Sequence, residues 1–112
     1  MITDTDIRAK AFELLEAQPA GTSNTAADMV ALRIKAARML EAERTLRVFT
    51  GYVEKQVAVV DEAREAVVEI EQAGEAGSQQ WNNRVADLRY TEGKLAGLTI
   101  AQEEIRAISQ GF

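Results

Sequence analysis

The chain has neither cysteine nor histidine among its 112 residues. The first absence removes disulfides, thiolate nucleophiles and sulfur-ligated metals together. The second removes the only side chain whose unshifted pKa lies near neutrality, and with it the usual zinc, iron and copper sites. Aromatic residues are scarce at 5%, so a bulky, aromatic-lined pocket is not expected. No apolar run approaches the roughly 20 residues needed to span a bilayer, because charges interrupt every candidate within about ten. The opening segment "MITDTDIRAK" has acids and no apolar stretch, unlike a signal peptide. Together these features predict a soluble, intracellular protein with no membrane partner. The net charge of −5 argues against a chain whose main task is neutralising phosphates, and no nucleic-acid partner is expected.

Hydrophobic residues nevertheless make up 46% of the sequence, in an Ala-, Val-, Leu- and Glu-rich composition that favours helices packed along stripes. The length allows one domain, here residues 1–112. Thr3 and Asp6 have capping-box spacing, acids occupy the first turn, and Ile7, Ala11, Leu14 and Leu15 form a stripe, which predicts a short helix over about 4–17. The single proline, Pro19, lies just beyond it, in a "QPAGTSN" segment with turn chemistry throughout.

Thr25 and Asp28 repeat the capping spacing ahead of a second apolar run. The segment "TLRVFTGYVEKQVAVV" within it, rich in Val, Phe and Tyr and split by Thr50-Gly51, could be a hairpin or the waist of one helix. Period decides between them. Leu32, Met39, Leu46, Val53, Val60 and Val67 recur every seventh residue straight through Gly51, whereas a hairpin needs period-two alternation and preferably Asn-Gly or Asp-Gly at its turn. A helix over about 25–73 is therefore predicted, with Gly51 as its candidate kink. Gly74 and Gly77 end it, and Ser78 caps a third helix over about 78–109. Trp81, Val85, Leu88, Leu95, Leu98, Ile105 and Ile108 lie along one side of that helix. Gly97 as a C-cap, with Thr99 and Gln102 as a new capping pair, would divide it. The expected fold is all-α: an elongated antiparallel helical hairpin with a short N-terminal helix.

With Leu32 at position a of a heptad, position d reads Lys35, Ala42, Phe49, Gln56, Ala63 and Ile70, a narrow and partly polar coiled-coil seam. Further apolar residues lie off it, more than one partner helix can cover. The candidate protein-interface residues are accordingly Ile34, Leu40, Val48, Tyr52, Val57, Val59 and Val68, joined by Trp81 at the hairpin turn and the terminal Phe112. Trp81 reads first as a plug over the end of the bundle, with an interface anchor as its competing role. Gly93, Gly97 and Ala101 form a small-residue row on the third helix.

Charge is segregated along the long helix. Residues 33–47 carry five basic and two acidic side chains, and residues 54–75 carry two basic and seven acidic ones, the reverse of what the helix macrodipole prefers. Such an arrangement could align neighbouring copies. The acidic cluster lacks the loop spacing of an EF-hand, and no metal or cofactor is expected. Ser23, Ser78 and Ser109 have no histidine to activate them, and nothing distinguishes the carboxylates of an exposed helix as an acid and base pair. No enzyme is expected.

The hairpin tip, with Trp81 near the turn in "QQWNN", resembles the Trp-x-Gly family of small secreted helical proteins. Asn83 stands where that family has glycine, and the two main helices are unequal, so the resemblance covers the tip alone. The function expected from the residues is a non-enzymatic structural or assembly protein, packing through its hairpin against copies of itself or a larger complex. A small virion component of a tailed phage is one setting. The alternative is a regulatory or secretion adaptor that binds one protein partner transiently.

Overall fold

A computed structural model describes all residues from 1 to 112 and contains three helices: α1 (Asp4–Glu16), α2 (Ala26–Gln72) and α3 (Gln79–Ser109). The fold is all-α, an antiparallel helical hairpin of α2 and α3 with a short N-terminal helix. Each start has the expected chemistry. The Thr3 hydroxyl accepts from the Asp6 N–H at 3.2 Å while the Thr3 N–H donates to the Asp6 carboxylate at 2.9 Å. Thr25 and Asp28 repeat the exchange at 3.1 and 2.9 Å, and the Ser78 hydroxyl accepts from the Trp81 N–H at 3.1 Å. These bonds satisfy donors that have no partner within the helix.

The two capping carboxylates are held below their ordinary value of 3.8, first by the backbone N–H and then by the hydroxyl of Thr3 and Thr25 respectively. A folded-state pKa below the unfolded one means that the contribution is complete above the ordinary value and lost as pH falls through the folded value. Acidification below about pH 4 is therefore expected to fray the first turns of α1 and α2 ahead of their middles. Amide exchange measured residue by residue across that range should show it, and equal protection along each helix would disprove it.

The ends are equally specified. At α2 the Gly74 N–H donates to the Glu71 carbonyl and the Glu75 N–H to the Ile70 carbonyl, a Schellman pair that needs the left-handed φ of +79° at Gly74. The same pattern closes α3, with Gly111 at φ +93° and the Phe112 N–H on the Ala107 carbonyl. Neither candidate break divides its helix: α2 is continuous through Gly51 and α3 through Gly97. Thr99 is not a new cap. Its hydroxyl donates back to the Leu95 carbonyl at 2.9 Å, an arrangement the interior of a helix accommodates.

Packing groups the chain into two compact units, Met1–Arg47 with Glu104–Phe112, and Val48–Glu103. In the first unit, α1 lies against the row of α2 that holds Ala36, Leu40 and Glu43. Ala11 and Ala36 are buried, Ala36 completely at 0% exposure, and the Lys10 ammonium reaches Glu43 at 3.4 Å. Partial burial works to lower the Lys10 pKa, but the attraction of Glu43, with hydrogen bonds to Glu43 and Glu13, outweighs it and the value is raised. The connecting loop is closed by reciprocal amide bonds between Gln18 and Asn24 at 3.2 and 2.8 Å.

In the second unit, residues 48–72 of α2 run antiparallel to residues 79–103 of α3: Thr50 meets Gln102, Gln56 meets Thr91, and Glu71 meets Trp81. The α2 side of this contact follows the seven-residue register. Gln56, Val60, Val67 and Ile70 are buried, and Phe49, Val53 and Ala63 half-buried. Along α3, Trp81, Val85, Leu88, Thr91, Leu95 and Leu98 are half-buried, and no residue of that helix is fully so.

Gln56 is the one buried polar residue, and its amide donates to the Thr91 carbonyl at 3.1 Å. Replacing it by leucine removes a bond of modest net worth and fills the same seam, so Gln56→Leu is expected to change stability by no more than about 1 kcal/mol. Gln56→Glu sets a carboxylate against that carbonyl and should cost several times as much, on the order of 3 kcal/mol. Urea denaturation of the two variants measures the contrast, and equal losses would show that the amide is not the determinant.

Candidate protein interface

One helix covers one side of another, and the sides of α2 next to its seam stay open. Within the second unit Val48, Tyr52 and Val59 fall along one flank, interleaved with Lys55 and Glu62. Val57 and Val68 fall on the other, separated by the ion pair of Asp61 with Arg64 at 3.6 Å. These five apolar side chains are 41% to 57% exposed. Phe49, at the edge of the seam, meets Tyr52 edge to face at 6.2 Å, which orients the tyrosine ring without covering it. Val59 also borders a shallow cleft lined by Ala63, Ala66, Arg84, Asp87 and Thr91.

In the first unit, the side of α2 turned away from α1 forms a groove of about 760 Å³ with the last turn of α3. Met39 and Ala42 are its buried floor, Ile34, Ile108 and Phe112 its exposed apolar walls, and Lys35, Arg38 and Glu41 part of its rim. Phe112 is 90% exposed, hung beyond Gly111. Leu40 differs from its companions. It is half-buried, in a depression shared with Ile2, Ala9 and Lys10 near α1, so the short helix removes much of it from water. Trp81 is half-buried, and its indole N–H donates to Glu71 at 3.2 Å, tying the start of α3 to the end of α2.

Phe12, Val30, Tyr90 and Ile100 are exposed apolar residues outside the expected set. The signal for the last two was available: Tyr90 and Ile100 fall opposite the α3 stripe in helical register. The five basic side chains of residues 33–47 are all exposed and none takes part in an ion pair. In the other unit, the seven acidic side chains of residues 54–75 are all exposed, and only Asp61 is in an ion pair. No three acidic side chains converge to hold a metal ion. No helix is long and apolar enough to cross a membrane.

These open flanks and the groove define a class, a helical protein whose distinctive chemistry is exposed apolar surface. Compared with known protein families, curated proteins and solved structures, the chain matches none.

Proposed function

We propose that the protein is a non-enzymatic assembly component, which packs through the uncovered sides of its hairpin against copies of itself or the subunits of a larger complex. The observation that carries this reading is the set of half- to fully exposed Ile34, Val48, Tyr52, Val57, Val59, Val68 and Phe112 on helices whose seam is already filled. The separate basic and acidic stretches support the same reading, because complementary charge selects orientation and partner. A place within a virus particle is one setting for such a component.

The adaptor alternative draws on Trp81 as an anchor. That indole is half covered and its N–H is engaged by Glu71, the position of a plug closing the hairpin end, so the assembly reading is preferred.

Sedimentation of the wild type and of Val48→Glu/Tyr52→Glu/Val59→Glu, together with capture from the native source, tests the proposal. The wild type is expected in a complex, homomeric or mixed. The triple variant, altered only at exposed positions, should keep its helicity and lose most of that association. A wild type that is monomeric at tens of micromolar and recovers no companion would refute it.

A further inference from the structure

The outer surfaces of the two helices in the second unit differ in kind. Opposite its seam, α2 presents Gly51, Lys55, Ala58, Glu62, Glu65 and Glu69, a row of which four members are charged, as on a solvated helix face. Opposite its own seam, α3 presents Ala86, Tyr90, Gly93, Gly97 and Ile100, spaced alternately four and three residues apart, all exposed and none charged. Tyr90 is 71% and Ile100 63% exposed, among the most open large side chains of either helix. Nothing in the fold asks for the two glycines between them. A Cβ at Gly93 or Gly97 would meet no atom within 4 Å, and each glycine costs a helix interior about 1 kcal/mol relative to alanine.

Resting on the assembly reading above, we infer that this face of α3 is a dimer interface, and that its occupant is the same face of a second copy, run antiparallel. With the twofold axis beside residue 95, Gly93 of one copy lies opposite Gly97 of the other, and Tyr90 lies opposite Ile100, each pairing occurring twice. The missing Cβ atoms let the backbones approach while the large side chains close over both ends. Charge selects this orientation. On one border of the row, Arg89 comes opposite Glu103 of the second copy, again twice, and Ala96 comes opposite itself. In a parallel pair, Arg89 would instead approach Lys94 of the second copy. The antiparallel register holds one like-charged approach, Lys94 to its own copy, at the opposite border, where four methylenes carry each ammonium into water. The row from 86 to 100 is about 21 Å long, so the interface belongs to the small class and the dimer is expected to form reversibly.

Sedimentation equilibrium of the full chain, with far-UV circular dichroism on the same samples, tests this. The wild type should dimerise. Tyr90→Glu/Ile100→Glu should weaken dimerisation by roughly tenfold or more at unchanged helicity. Arg89→Glu should weaken it, and Arg89→Glu/Glu103→Arg should restore it. Gly97→Leu separates an interface from mere structure, since it is expected to raise thermal stability of the monomer while weakening the dimer. With no native cysteine, Ala96→Cys should be joined to its own copy by a short thiol cross-linker, and Ala86→Cys, about 27 Å from its equivalent, should not. A monomeric wild type overturns the inference. So does association that persists unchanged in the Tyr90/Ile100 variant, but that result leaves the assembly reading standing on another face.

Discussion

Val60→Asp is expected to abolish the pairing of α2 with α3, reading out as loss of most helical circular dichroism at 25 °C. Val60 is 4% exposed, in the middle of the seam, and the only polar residue buried there, Gln56, already has a partner in Thr91. A carboxylate at 60 would have to take a proton or draw in water, and an unpaired buried charge costs several kcal/mol, about 3 or more. A domain of this size has on the order of 5–15 kcal/mol in all. This chain has little reserve, because its buried apolar residues are few and none of the large ones is fully enclosed. Val68→Asp is the control. That side chain is 41% exposed on the same helix, and an exposed site usually moves stability by no more than about 0.5 kcal/mol. If the two variants melted together, the seam would not be what holds the unit.

The second large effect lies at Gly51. Gly51→Pro should cost about 3 kcal/mol or more, since the ring removes an N–H from the helical ladder and collides with the carbonyl one turn back. Because α2 is unbroken through this position, the loss is expected to show in both halves of the helix. Gly51→Ala has the opposite sign. The position is helical and a Cβ built there meets nothing within 4 Å, so alanine should stabilise by about 1 kcal/mol, measured as a higher thermal midpoint. A proline variant as stable as the wild type would mean that the helix is divided at 51 in solution. An alanine variant less stable than the wild type would mean that the space beside Gly51 is in use.

Helix existence, length and capping were legible because they are local. Thr3 with Asp6, Thr25 with Asp28, Ser78 and Gly74 each act within a few residues. The period from Leu32 to Val67 likewise needs no knowledge of the partner. Two details were settled by packing rather than by local pattern. Gly97 with Thr99 had the composition of a break, yet Thr99 bonds back to Leu95, and the stripe from Leu95 to Leu98 is held against α2. At position d, Lys35 is exposed and the neighbouring Ala36 is the residue fully enclosed, because the first half of α2 has α1 beside it as well. Leu40, one of the expected interface residues, is half covered from that same side.

By itself, the order of residues determined that the chain is helical, where each helix starts and stops, and which side of α2 is greasiest, since these follow from dihedral preference, capping donors and a period of seven. Which apolar side chains remain in water was decided by tertiary structure. Exposure depends on what lies across from a residue: α3 covers a single seam of α2, α1 covers a few side chains of the first unit, and the row of α3 from Ala86 to Ile100 stays exposed.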